Sequence, residues 1–364
     1  MATKKTTTVT KKTPARDTTA GTAGPLVKRP TPQTLVTGGT GFLGAHLLPL
    51  LAAKGASHLR VLTTTAPPWL SEMGVEIVNG SLTDADTVAR AVAGVKEIYH
   101  LAGKVSRENE DARAMHDIHV GGTRLLCEAA RDADVKCIVM ASSSGTIAVT
   151  PDGVGLPDES WPVPLDIIAR WPYYASKYYQ ERAALENFTG PGRRLVIMNP
   201  SLLLGPGDER LSSTKVILDF LSRKIKTVPG GGLSFVDVRD VAPAFVAAMK
   251  RGRHGERYLL GGPNWSFSEF FGRLERISGV AAPRLALPAR VATTGARWLS
   301  NFYKQWDAAP PVEPGEVEMA EHFWYLDARQ AARELGFVPR DSGETLMETV
   351  RYVRRKFLGH NAFK

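Results

Sequence analysis

A chain of 364 residues, 43% of them hydrophobic, can bury a full core and suits one large α/β domain with a smaller appended part. Its formal charge of +9 invites a nucleic-acid partner, yet Lys4, Lys5, Lys11, Lys12, Arg16, Lys28 and Arg29 against Asp17 place +6 of it within residues 1–30. The +3 left for the remainder makes no polyanion-binding surface, and no apolar run approaches the roughly eighteen residues of a membrane span or forms a secretory signal, so a cytoplasmic protein without an integral membrane segment is expected.

Residues 1–32, rich in Thr, Pro, Gly and Lys, carry too little apolar surface to offset the entropy of folding and read as a disordered basic tail. Residues 33–206 then alternate short apolar strands with helical patterns. Strands are expected at Thr34–Thr37, His58–Thr63, Glu76–Val78, Glu97–Leu101, Cys137–Ala141 and Leu195–Met198, and helices at His46–Leu51, Ala85–Ala93, Ala112–Arg131 and Tyr173–Asn187. That alternation predicts an α/β fold, a Rossmann-like doubly wound parallel sheet with helices on both faces. Cys127 and Cys137, without zinc-ligand spacing, read as packed free thiols.

From about Gly207 the rhythm loosens into Pro/Gly turns (Pro229 to Gly232, Gly261-Gly262-Pro263), a short strand at Arg257–Leu260 and several helices. Residues 207–358 read as a smaller C-terminal substrate lobe, with a strand and a helix returning to the sheet. Trp265, Phe267, Phe270, Trp298, Phe302, Trp306, Phe323, Trp324 and Tyr325 suit an apolar pocket or, more plainly, the core of a small lobe. Apolar residues at 291, 298, 299, 302 and 306 form a helical stripe beside Arg290, Arg297 and Lys304, suited to packing on the sheet domain or to a membrane surface.

Three motifs carry chemistry. Thr37-Gly38-Gly39-Thr40-Gly41-Phe42-Leu43-Gly44 joins the first strand to the first helix. Gly38 allows the tight turn, Gly41 lets backbone approach a pyrophosphate, Gly44 lets the helix pack close, and the helix start supplies free N–H groups with partial positive charge. Tyr173 and Lys177, four apart on a helix, lie side by side, where an ammonium and an oxidised nicotinamide would favour the phenolate. Ser142-Ser143-Ser144-Gly145-Thr146 closes a parallel strand, placing a hydroxyl at the ligand crevice.

These residues resemble the extended short-chain dehydrogenase/reductases, the NAD-dependent epimerase/dehydratase family, from about Gln33 to Arg354. Further signposts are His100-Leu101-Ala102-Gly103, Val120-Gly121-Gly122-Thr123, Asn199-Pro200-Ser201, Gly205-Pro206-Gly207-Asp208 and Asp237-Val238-Arg239-Asp240-Val241. The resemblance implies Ser143 as catalytic hydroxyl with Ser144 as its neighbour, Tyr173 as general acid/base, and Lys177 as the residue that lowers its pKa and holds the nicotinamide ribose. It implies cofactor contacts from Gly38, Thr40, Gly41, Phe42, Leu43, Gly44, Thr64, Ser81, Leu82, Leu101, Ala102, Gly103, Tyr173, Lys177, Pro200 and Ser201, and no metal.

Departures from the family pattern narrow the reading. His119 stands where the family often carries Asn, and reads as a core histidine or a catalytic one. Ser81 replaces the acidic adenine contact, and Thr63, Thr64 and Thr65 follow the second strand where an NAD enzyme offers a carboxylate, which leans to NADP over NAD. Leu233 stands where sugar-nucleotide epimerases place a phosphate-gripping Arg, and Gly145-Thr146-Ile147 where dehydratases place Asp-Glu, while Asn199 is shared with some epimerases. The pattern looks closest to the dihydroflavonol-reductase and 3β-hydroxysteroid-dehydrogenase branches. It implies an NAD(P)-dependent oxidoreductase interconverting a ketone and a secondary alcohol on a largely apolar small molecule. A nucleotide-sugar epimerase/dehydratase and a non-catalytic NAD(P) sensor are the alternatives, and a homodimer stays open.

Overall fold

The computed structural model describes residues 1–3, 33–53, 55, 58–287, 294–295 and 314–359. The expected tail and the 291–306 stripe, with Trp298, Phe302 and Trp306, fall almost wholly outside the described residues.

Seven strands form one parallel sheet in the order Arg257–Leu260, β6 (Arg194–Pro200), β5 (Cys137–Ala141), β4 (Glu97–His100), β1 (Thr34–Thr37), β2 (Leu59–Thr63) and β3 (Glu76–Asn79). The chain steps outward from β1 to β3, then returns to β4 on the other side of β1. The order therefore reverses between β1 and β4, and a crevice opens there beyond the carboxyl ends of the strands. β2 is buried along its whole length, as a strand covered on both faces must be. On one face the helices Phe42–Ala52, Val238–Arg251 and Arg329–Leu335 pack Leu47, Leu48, Phe245 and Leu335 against Val36, Val61 and Tyr258. On the other, Ala85–Val92, Thr123–Asp132 and Pro172–Asn187 pack Val88, Leu126 and Ala184 against Leu35, Ile98 and Ile138. Both cysteines are free and buried.

The expected strand at Arg257–Leu260 is the outer strand of this sheet, and Val238–Arg251 is the helix that returns to it. Two outward-facing groups of that strand are taken. Glu159 Oε1 accepts from Leu259 N at 2.8 Å, and Gln330 Nε2 donates to Arg257 O at 3.0 Å.

Two expectations need refinement. The helix expected over Ala112–Arg131 runs without interruption from Ala112 to Asp132, with a π-helical turn at Asp117–Gly122 inside it. Gly121-Gly122 loosens the helical ladder there, and Gly122 lies where a Cβ would come within 2.9 Å of the Leu82 side chain. The lobe also holds more sheet than expected: Asn264–Ser266, Gly232–Asp237, Phe323–Trp324 and Leu202–Leu204 form a four-stranded sheet. Thr227–Val228 pairs with Leu285–Ala286. Strands this short carry no readable alternation, and partners lie far apart in sequence. Among the described residues no helix is long and apolar enough to cross a membrane.

Candidate active site

The Gly-rich turn leaves β1 at Thr37 and enters the Phe42–Ala52 helix through Gly41, an extended cap with no side chain bonded to it and no acidic residue in the first turn. The first N–H groups and the positive end of the helix are thus left for an anion. Gly38, at φ +70°, passes so close to β4 that a Cβ would lie 2.6 Å from Ala102 N, and a Cβ on Gly44 would lie 2.6 Å from Gly39 Cα. Gly44 therefore packs the helix against the turn itself. Gly41 differs, since its Cβ would meet only Gly38 O, at 3.3 Å.

Thr63 turns inward, its Oγ1 donating to Thr65 O at 2.7 Å, 3.4 Å from Thr40 Oγ1, whereas Thr64 is exposed at the end of β2. Ser81 Oγ lies 2.7 Å from Thr83 Oγ1 in a local turn, and Leu82 is buried in the core beside Gly122. Leu101 and Ala102 are half-buried at the end of β4, with Gly103 exposed. At the end of β6, Ser201 is buried with its Oγ unpartnered. An uncapped helix start, a glycine with room beside it and an orphaned buried hydroxyl next to Pro200 fit a dinucleotide laid across the switch point.

Pro172 opens the helix Pro172–Asn187, fixing φ at its first position. Its first three turns present Tyr173, Ser176, Lys177, Gln180 and Glu181 to the protein interior. Ser143, extended at the start of a 3-10 turn over Ser144–Thr146, accepts from Gly145 N at 3.3 Å, and its side chain stands beside Tyr173. Ser144 is buried. The phenol pKa is not lowered in this state. Burial pushes it above its ordinary value, and the neighbouring Ser143 hydroxyl is what opposes that. The Lys177 ammonium is aimed elsewhere, donating to Ala141 O at 2.8 Å and Gln180 Oε1 at 2.7 Å. Burial pulls Lys177 down to about 8, against the charge of Glu181, which raises it.

Glu181 was not singled out from the sequence. It is wholly buried, and its Oε1 accepts from Ser142 Oγ, from Thr146 Oγ1 at 3.1 Å and from Asn199 Nδ2 at 2.8 Å. Its Oε2 accepts from Arg257 Nε at 2.7 Å. One carboxylate thereby ties the Tyr–Lys helix to the Ser143 turn, to β6 and to the outer strand. Asn199 Nδ2 also donates to Ser143 O at 3.0 Å, which holds the serine from behind. The available signal was helical: Glu181 follows Lys177 by four and Tyr173 by eight, on the same stripe.

The π turn brings His119 beneath this helix. Ser176 Oγ donates to Tyr173 O at 2.8 Å, so His119 Nδ1–H, 2.8 Å away, donates to that oxygen, while His119 Nε2 accepts from Lys104 N at 3.1 Å. Burial holds the ring neutral, pulled down to about 2. Both nitrogens are in use, edge-on to Tyr173 with ring centroids 6.1 Å apart.

Beside the triad, Tyr174 stacks on Trp324 with centroids 4.6 Å apart, and Trp171 meets both Trp324 and His322. A Cβ on Gly145 would come within 2.6 Å of Tyr174 Cδ1, so the missing side chain lets this aromatic wall reach the Ser143 turn. The other lobe aromatics divide. Trp265 and Phe270 are buried with Leu233, Phe235 and Phe271 in the lobe core, with Phe267 packed against it, whereas Phe323 and Tyr325 flank Trp324.

A sequence profile described as "NAD dependent epimerase/dehydratase family" matches residues 34–261. The "Putative dihydroflavonol 4-reductase" of Synechocystis sp. is 32% identical over 323 residues, covering 87% of this chain and 93% of that protein. The "3-beta-hydroxysteroid dehydrogenase" of Mycolicibacterium neoaurum is 26% identical, covering 89% of this chain and 91% of its own. The crystal structure of gox2253 superposes with a TM-score of 0.76 at 30% identity, covering 91% of this chain and 99% of that one.

Proposed function

The chain belongs to the NAD-dependent epimerase/dehydratase family, and on that premise we propose that it is an NAD(P)-dependent oxidoreductase interconverting a ketone and a secondary alcohol on a largely apolar small molecule. The observation that carries this reading is Tyr173 set beside Ser143 and an aromatic wall, with Lys177 one turn away on the same helix. When bound, the nicotinamide supplies or takes the hydride. Ser143 donates a hydrogen bond to the carbonyl oxygen, and Tyr173 passes it the phenolic proton. Lys177 holds a ribose hydroxyl, and its charge favours the phenolate left behind. Two similar proteins, a reductase and a hydroxysteroid dehydrogenase by name, support carbonyl and alcohol chemistry.

The epimerase alternative is weaker at two positions. Leu233, where that reading needs a phosphate-gripping cation, is buried among Phe235, Trp265 and Phe270, and a diphosphate there would lose its hydration without a partner. Asn199 Nδ2 is committed to Glu181, Thr146 and Ser143. The test is an assay of UDP- and dTDP-sugars beside a panel of aryl, alicyclic and long-chain ketones with NADPH and NADH. Ketone-dependent oxidation of the reduced cofactor is expected. Epimerised sugar with no oxidation by any ketone overturns the reading.

NADPH is the proposed preferred cofactor, because the exposed Thr64 and Thr65 follow β2 with hydroxyls and no carboxylate, while Thr63 turns inward. Thr64→Asp should reverse that preference, weakening NADPH about tenfold or more through repulsion of a 2′-phosphate while leaving NADH little changed. Equal losses for both cofactors, measured by fluorescence titration, would remove Thr64 from the ribose site.

A further inference from the structure

Behind the cleft lies a set of buried polar side chains that the proposed chemistry does not use. Thr37, His100, Thr123 and Gln180 are all fully buried. They come from four elements: the end of β1, the end of β4, the start of the Thr123–Asp132 helix and the Tyr–Lys helix.

Lys177 fixes the orientation of one of them, Gln180. An ammonium has only hydrogens to offer, so the Gln180 atom 2.7 Å from Nζ must be the amide oxygen. That turns the amide NH2 toward Thr123 Oγ1 at 3.0 Å and His100 Nε2 at 3.2 Å. If His100 Nε2, also 2.8 Å from Thr123 Oγ1, accepts from this pair, the ring proton sits on Nδ1 and donates to Thr37 Oγ1 at 2.7 Å. Thr37 Oγ1 further accepts from Ala102 N at 3.2 Å. The line runs from the lysine to the residue that precedes Gly38.

We propose that Gln180 is a positioning residue that, through the directed chain Gln180–Thr123–His100–Thr37, fixes the Lys177 ammonium relative to the Gly-rich turn. The proposal rests on the reading of Lys177 as the ribose-holding residue. A lysine side chain has four rotatable bonds and three hydrogens on Nζ. Among the described residues Ala141 O and Gln180 Oε1 take two of them, which aims the third. The other titratable groups around Nζ are Glu181, Tyr173, His100 and His119, and both imidazoles are held neutral by burial, His100 pulled down to about 3. A neutral His100 is what the direction of the chain requires.

The test uses the full-length protein and two readouts that need no substrate. In ¹⁵N-histidine NMR, with the signal assigned by His100→Gln, His100 should be the Nδ1–H tautomer in the wild type. In Gln180→Glu a carboxylate accepts from both neighbours, so the chain should reverse and the proton move to Nε2. Gln180→Leu, which removes the acceptor from Lys177, should weaken NADPH and NADH about tenfold by fluorescence titration, and Gln180→Glu should restore affinity to within about threefold. An Nε2–H tautomer in the wild type overturns the proposal, and that measurement needs no variant to fold. A folded Gln180→Leu protein binding both cofactors with wild-type affinity overturns it too. If no ketone is reduced, the oxidoreductase reading fails while these two results stand on their own.

Discussion

Tyr173→Phe should lower turnover at least ~10²-fold while leaving cofactor affinity nearly unchanged. The substitution keeps the ring, so the edge contact with His119 and the packing against Tyr174 survive, and it deletes the one atom that carries the transferable proton. The effect should be in kcat, measured with whichever ketone the wild type reduces fastest. A Phe variant with near-wild-type turnover would remove Tyr173 from the mechanism. The wild-type pH profile carries a second expectation. Burial holds the phenol protonated through neutral pH, so the reducing direction has its acid in place there. Lys177, lowered to about 8, is charged below that pH and neutral above it. Ketone reduction should therefore hold steady up to about pH 8 and fall beyond it, as the charge that stabilises the nascent phenolate is lost.

Gly41→Val should weaken NADPH and NADH by at least ~10²-fold, about 2.7 kcal/mol, in a protein that still folds. The backbone at Gly41 is extended, a conformation valine favours, and the nearest atom to its Cβ would be Gly38 O at 3.3 Å. Its branched carbons would stand over the uncapped start of the helix, where phosphates must approach backbone N–H groups. Gly44→Ala is the contrasting case. Its Cβ would sit 2.6 Å from Gly39 Cα, so it should cost stability and not binding alone. Circular dichroism melts separate the two. Unchanged affinity in a folded Gly41→Val variant would move the pyrophosphate away from this turn.

The parts of this molecule legible from sequence are those in which local spacing carries the physics. Gly38, Gly41 and Gly44 between a strand and a helix, a Tyr and a Lys four apart, and alternating apolar runs each report a conformation that a few neighbouring residues decide. What was not legible depends on distant partners. Glu181 reads as one more solvated acid on a helix until Ser142, Thr146, Asn199 and Arg257 are folded around it. Gln180 and His100 give no signal without each other, being 80 positions apart. The π turn at 117–122 stayed hidden because its glycine pair is also compatible with an ordinary helix. Leu202–Leu204 and Phe323–Trp324 are too short to show a period, and each becomes a strand only by pairing with Gly232–Asp237.

The capped outer strand bears on how the protein behaves in concentrated solution. A parallel sheet that ends in a bare strand offers a template on which the strand of another molecule can grow, the first step of edge-to-edge aggregation. Here Leu259 N–H is held by Glu159 and Arg257 O by Gln330, while Arg257 itself is anchored inward on Glu181. An incoming strand would first have to displace a carboxylate and an amide that already satisfy those groups. Glu159 and Gln330 thus help keep this end of the sheet closed to strand addition.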